Sequence, residues 1–364
     1  YFTVTMIRCR RGITILVALL CGLHLYAAFN GQLEVRTKRI QRGSSFAVRY
    51  TPGTLLARAS ELTLSVYTYT AEKALPTATS RSMSKSGSTF SAEVPKLNED
   101  VVFLLMKVGT ASRTDWNNDD MWDALVYDDT KPVRGANFQR AFSYLPSALP
   151  NIHRKENIDI ALEAVRAEVA EYPDNTAAKI ALASFLLDKE ELTKVEYTTR
   201  IEALVKDGLD STREDAVRMS VRALRSIGRP ADADLAEAAF IARNPSSDLA
   251  EEVARSACYA AQTREEFEDK LKSYITRFTF NVFSDRMYMD LLNSYLQQGS
   301  GDEVVRLIRA YPVPPGVRSN PPATILNMVA VSMLSQDSLT TLARQYAERA
   351  LRSAESRQLV RPRF

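Results

Sequence analysis

Cysteine and histidine are nearly missing from this chain: three cysteines and two histidines among 364 residues. Cys9, Cys21 and His24 all fall within the first 31 residues, so beyond that stretch only Cys258 and His153 remain. A single cysteine closes no internal disulfide and forms no Cys-x-x-Cys redox pair. A single histidine makes no histidine-rich zinc site. Charge of either sign is also not in excess. The formal net charge of +3 equals the contribution of Arg8, Arg10 and Arg11, which lie in an acid-free stretch, and the rest of the chain balances. The basic surplus that would point to nucleic acid is therefore absent. No residue pattern has the form of a catalytic constellation, and the sequence predicts no catalytic residue, no cofactor and no metal.

The amino-terminal stretch is the first positive feature. A basic cluster, Arg8, Arg10 and Arg11, precedes an apolar run from Gly12 to Leu25, and Tyr26-Ala27-Ala28 follows with small residues. That order predicts an export leader over residues 1–31, with Met6 as the start and cleavage between Ala27 and Gln32. The apolar run is shorter than the roughly 20 residues a bilayer-crossing helix needs, and it contains His24. After cleavage no membrane span is expected, and the mature protein would be periplasmic or at the cell envelope. A retained anchor is the alternative.

The chain then changes character near residue 150. From 32 to 147 apolar and polar residues alternate between turn signals. Gln32–Thr37, Ser45–Tyr50, Leu62–Tyr67, Arg81–Lys85, Thr89–Val94, Val101–Val108 and Trp122–Tyr127 read as strands. Ser86-Gly87 reads as a hairpin turn, and the continuous apolar run from Val101 reads as a central strand. The spacing predicts an immunoglobulin-like antiparallel sandwich. One motif stands out in it, Asp115-Trp-Asn-Asn-Asp-Asp120. Asp115, Asn117 and Asp119 alternate as calcium ligands do, but Asp120 and Val126 stand where a calcium loop of the EF-hand type has Gly and Glu. A solvated loop is the plainer reading, with a weak calcium site as the alternative.

Residues 151–356 read as helices, and residues 357–364 as a disordered basic tail. Asn157 caps a first helix, Ser211 with Glu214 and Thr263 with Glu266 have capping-box spacing, and Gly208, Gly228 and Gly299 sit where helix ends are expected. Pro173, Pro245 and Pro312 recur at about twice the tetratricopeptide period of roughly 34 residues. The region therefore predicts a tetratricopeptide-like α-helical repeat. Phe278, Phe280, Phe283, Met287, Tyr288, Met289 and Tyr295 form its densest aromatic cluster, which is either core packing or a concave peptide-holding patch. Cys258, in an Ala-rich helix, reads as a buried, inert thiol, and His153 as a surface residue.

Several stretches carry a family likeness: Leu104 to Lys107, Trp122 to Tyr127, Lys131 to Ala136 with Ala141 to Tyr144, and Leu326 to Ala330 with Ala343 to Ala350. In these, and in the order of its parts, the chain resembles the amino-terminal, non-catalytic region of secreted TlpA-type thioredoxin-like disulfide reductases from Bacteroidota-like bacteria. The resemblance implies a sandwich and then helices ahead of a thioredoxin domain, and no such domain lies within this sequence. The residues by themselves predict a non-enzymatic binding or scaffolding protein whose helical repeat takes a protein or peptide ligand. The resemblance implies the alternative, an accessory part of a thiol–disulfide oxidoreductase.

Overall fold

The structure, a computed structural model, describes residues 30–73, 76–146, 152–278, 282–310, 323–334 and 340–359. The expected leader up to Phe29, Phe280 and the last residues of the tail lie outside them. The chain divides into two compact units, Tyr1–Ala238 and Ala239–Phe364.

The first unit opens with ten strands: β1 (Gln32–Val35), β2 (Ile40–Gln41), β3 (Phe46–Thr51), β4 (Leu62–Thr70), β5 (Thr77–Ser86), β6 (Thr89–Val94), β7 (Val101–Gly109), β8 (Thr114–Asp115), β9 (Trp122–Asp128) and β10 (Lys131–Pro132). Each strand read from the sequence is present, shifted by a few residues at its ends. In β4 Leu62, Leu64 and Val66 are buried and Thr63 is exposed, as alternation predicts, but Tyr67 on the opposite face is buried as well. The Ser86-Gly87 turn forms with Gly87 at a φ of 59°, a left-handed value that glycine accepts without strain.

The pairing differs from a sandwich of two separate sheets. The strands run in one hydrogen-bonded path, β1-β3-β6-β5-β4-β7-β9-β10. The link is β5, which changes partner along its length. Thr77–Met83 pair with β4, and Ser84–Ser86 pair with β6. The path is strongly curled. Tyr50 on β3 and Trp122 on β9 are five strand steps apart, about 24 Å in a flat sheet, yet their ring centroids are 5.8 Å apart. The curl closes both halves on one core that includes Val48, Phe90, Leu64, Leu104, Met106 and Val126. The seven strands read from the sequence are present, and the two-residue strands β2, β8 and β10 come in addition; a two-sheet arrangement also required a break in the pairing, and β5 is long enough to bridge it.

The helices are α1 (Ala136–Ser143), α2 (Ile158–Glu171), α3 (Thr176–Asp188), α4 (Lys194–Leu209), α5 (Glu214–Ser226), α6 (Pro230–Arg243), α7 (Asp248–Tyr259), α8 (Arg264–Phe278), α9 (Val282–Leu296), α10 (Gly301–Arg309), α11 (Ala323–Leu334) and α12 (Thr340–Leu359). α1 lies against β7 and β9, which accounts for the burial of β7 on both faces. From α2 onward the helices come in pairs. Successive pairs begin at Ile158, Lys194, Pro230, Arg264 and Gly301, intervals of 36, 36, 34 and 37 residues. In the first unit α2 packs on α1 and α3, and α4 on α3 and α5, while α3 also meets α5; in the second α8 packs on α7 and α9, α9 on α10, and α11 on α12, while α9 also meets α11. Contacts between neighbours and next-but-one helices are those of stacked helices.

Local signals were mostly accurate at helix ends. Asn157 accepts from the Ile160 N–H, and Gly228 and Gly299 adopt left-handed φ values of 81° and 73°. Ser211 and Glu214 do not form a capping box. α5 starts at Glu214, the Ser211 hydroxyl accepts from Arg213 N, and Glu214 pairs with Arg218. Gly208 is not a helix end either. It lies within α4, where a Cβ would collide with the Ser220 hydroxyl of α5. Its role is to let two helices approach closely. Gly208→Ala is therefore expected to destabilise the first unit by about 2 kcal/mol, even though alanine is the better helix former. Urea denaturation of the full chain measures this. An equal or higher midpoint would contradict the close approach.

The boundary expected between 147 and 151 does not separate the compact units, whose division falls inside α6. The described residues just after 151 are held tightly. The Arg154 side chain is 2% exposed and binds Asp123 at 2.8 Å and the Ser143 hydroxyl at 2.7 Å. Its guanidinium lies 3.5 Å from the Tyr144 ring centre. Further on, Arg134 of the β10–α1 connection pairs with Asp174 at 2.7 Å, and the Tyr172 hydroxyl donates to Pro132 O at 2.7 Å. These bonds tie the sheet to α2 and the α2–α3 turn, so the sheet and the first helices form one body.

In the second unit, Met287, Tyr288 and Tyr295 are buried in a core with Leu271, Tyr274 and Val304, and Phe278 and Met289 pack at its edge. Most of the aromatic cluster is thus core. No helix among the described residues is long and apolar enough to cross a membrane.

Candidate functional site

A cleft of about 640 Å³ lies in the second unit. Such a volume is in the range of small-ligand and peptide side-chain sites. Its walls are the end of α7, the link Ala261–Thr263, the first turn of α8 and the middle of α9. Local chemistry fixes each wall. α7 stops where Ala260 N and Ala261 N bond back to Ser256 O and Cys258 O. α8 is capped by Thr263, whose hydroxyl accepts from Glu266 N at 3.1 Å. The return bond of the expected capping box is shifted by one residue, because Glu266 accepts from Gln262 N at 2.9 Å.

Tyr259, Asp290, Arg264 and Ser294 bring polar groups to the walls of the cleft. The Tyr259 hydroxyl donates to Asp290 Oδ2 at 3.0 Å, and Tyr259 is 51% exposed. Burial of its hydroxyl, with the Asp290 carboxylate beside it, pushes the Tyr259 pKa up to about 12. Arg264 is turned into the wall, donating to Ser294 O at 3.3 Å with its guanidinium 5.2 Å from the Tyr295 ring centre. The Ser294 hydroxyl oxygen is buried with no hydrogen-bond partner among the described residues. Phe267 and Leu291 supply apolar wall. The cleft thus offers an aromatic ring and a fixed carboxylate. These groups suit binding; they do not form a nucleophile with its base.

The Asp115–Asp120 motif forms a different kind of structure. Asp115 is fully buried. Its Oδ2 accepts from Gly31 N and from the Tyr50 hydroxyl, both at 2.6 Å, and its Oδ1 accepts from Asn117 N at 2.9 Å. Burial, then the Asp115 bond, raises the Tyr50 pKa far above its ordinary value. Three donors aim hydrogens at this carboxylate, which is the opposite of a cation site. Asp120 is spent on Arg154 at 3.3 Å, and Asp119 O accepts from Lys155 N. Among the described residues no group of three or more His, Cys, Asp or Glu could hold a metal. Asn118 and Asp119 are exposed as a solvated loop requires, but the loop hangs from a buried anchor.

Asn117, Asn118, Asp119 and Met121 have φ between 53° and 63°, a run of left-handed non-glycine residues. Asn and Asp tolerate that region best, which accounts for their density here. The loop places Trp116 with its ring centre 4.1 Å from Lys107 Nζ and 4.7 Å from the His153 ring. His153 is an exposed residue, as expected. Cys258 is fully buried, and burial raises its thiol pKa. Both observations match an inert thiol.

Sequence reasoning did not single out Tyr259 or Asp290. They lie 31 residues apart on different helices, and no spacing rule links them. The one available signal was the Thr263 cap, which marks a helix start opposite α9.

No family model and no curated protein matches this chain. Among solved structures, it is similar to the human IFIT1 dimer with PPP-AAAA, at 17% identity and a TM-score of 0.30. The likeness covers 60% of this chain and 50% of that one, so the chain spans about half the length of that protein.

Proposed function

We propose that this chain is a non-enzymatic binding module that holds a peptide segment of a partner protein in the α7–α9 cleft. The observation that carries this is the cleft itself, with its half-exposed Tyr259 ring beside apolar wall and the Asp290 carboxylate held by the Tyr259 hydroxyl. Helix pairs at tetratricopeptide-like intervals support the same reading, since stacked pairs present grooves to extended chains. Export to the bacterial envelope belongs to this proposal through the leader composition.

The test is selection of displayed random heptapeptides on the purified full chain. Peptides that bind the parent are expected to lose at least tenfold in affinity against Tyr259→Ala, because aromatic anchors dominate such contacts. Melting temperature should stay close to the parent, given the exposure of Tyr259. Peptides that bind both proteins equally would remove the cleft from the proposal. An empty selection would remove the function.

A further inference from the structure

The charges around the cleft bear on what kind of peptide side chain it accepts. Two carboxylates border it, Asp290 and Glu265, and both residues are exposed. Asp290 is held in place by the Tyr259 hydroxyl, so its orientation is set before a ligand arrives. Glu265 stands in the first turn of α8.

The basic groups nearby are Arg264, Arg255 and Arg286. Arg264 faces the protein, bonded to Ser294 O and lying over Tyr295. Arg255 is stacked on Phe283, with its guanidinium 4.0 Å from the ring centre. Arg286 is one turn before Asp290 on α9, and both Arg286 and Arg255 act electrostatically on Tyr259. Of the three, only Arg264 lines the cleft. What the cavity presents to an entering chain is two carboxylates and the face of a tyrosine.

Resting on the peptide-binding reading, we propose that the cleft selects a lysine or arginine side chain. The aliphatic stem lies along Phe267 and Leu291. The cationic head sits against Asp290 and Glu265, over the Tyr259 ring. Long basic side chains combine an apolar stem with a charged tip in this way. A cation over an aromatic face within about 6 Å of its centre is attracted to it. Arg286 acts as a competitor, since its like charge opposes the entering head.

The experiment uses the full chain and three fluorescein-labelled peptides, Gly-Leu-Lys-Leu-Gly and its Lys→Gln and Lys→Glu forms, read by fluorescence anisotropy at two salt concentrations. The lysine peptide should bind at least tenfold more tightly than the glutamine peptide, and the difference should shrink in high salt. Asp290→Asn should reduce lysine-peptide affinity about tenfold and leave glutamine-peptide affinity unchanged. Arg286→Ala should raise lysine-peptide affinity.

Equal affinity for lysine and glutamine peptides overturns the selection of a basic side chain, and so does preference for the glutamate peptide. Lower lysine-peptide affinity in Arg286→Ala also overturns it. If none of the three peptides binds, selection of a basic side chain fails. In that case peptides recovered on the cleft in the heptapeptide selection leave the binding reading intact. Failure of both experiments discards both readings.

Discussion

Asp115→Ala is expected to lower the stability of the first unit by about 4 kcal/mol. The carboxylate accepts from Gly31 N, the Tyr50 hydroxyl and Asn117 N, at 2.6, 2.6 and 2.9 Å. Alanine would leave all three donors without that acceptor, and each buried unsatisfied group costs about 1–3 kcal/mol. Asp115→Asn should cost roughly half as much. Its carbonyl oxygen can serve Gly31 and Tyr50, while its amide nitrogen then faces the Asn117 N–H. A chain beginning at Gln32 would also lose the Gly31 donor, so a mature amino terminus at or before Gly31 preserves the anchor. The two tryptophans of the chain, Trp116 and Trp122, both belong to the sheet region and report its unfolding by fluorescence. A double-mutant cycle isolates the key pair. Tyr50→Phe should cost less in the Asp115→Ala background than in the parent, because its hydroxyl would already be unpaired. An unchanged denaturation midpoint for Asp115→Ala would show that the loop is held by something else.

Glu168 should behave differently, because its two oxygens are treated unequally. Glu168 is fully buried on α2. Its Oε1 accepts from Gly135 N at 2.7 Å and from Asn175 Nδ2 at 2.8 Å. Its Oε2 is buried with no hydrogen-bond partner among the described residues. Glu168→Ala leaves the Gly135 and Asn175 donors unmet at the start of α1 and in the α2–α3 turn, and should cost about 3 kcal/mol. Glu168→Gln keeps the accepting oxygen and places a neutral amide where the unpaired charged oxygen stands. Burying an amide costs less than burying a charge. The glutamine variant is therefore expected to equal or exceed the parent in melting temperature, with alanine well below both. Glutamine falling as far as alanine would mean that Oε2 has a partner, such as an ordered water or cation, that the negative charge recruits.

The strands and helices were readable because their signals are local. Alternation in Leu62–Tyr67, the apolar run of Val101–Val108 and the Asn157 cap each depend on residues within a few positions of one another. One signal of that kind was also overlooked. Thr193 and Glu196 form a full capping box at the start of α4, with both reciprocal bonds present. Gly208 and Ser211 were misread for the opposite reason. The glycine rule for helix ends describes the backbone of a single helix, while Gly208 answers to a second helix crossing it. Ser211 had the right spacing to Glu214, but Arg218 competes for that carboxylate.

By itself the sequence determined the class of each part: alternating strands before residue 150, helices after it, one cysteine and one histidine beyond residue 31. Those follow from composition and from the two- and 3.6-residue periods that decide which face of an element is buried. The tertiary structure alone decided the rest. It joined the strands into one curled path through β5, buried Asp115 beneath Gly31 from 84 residues away, and brought Tyr259 against Asp290 across 31 residues. Periodicity fixes the direction in which a side chain points, but not what it meets. The partner is chosen by long-range packing, where an acceptor such as Asp115 takes whichever donors the closed core leaves beside it.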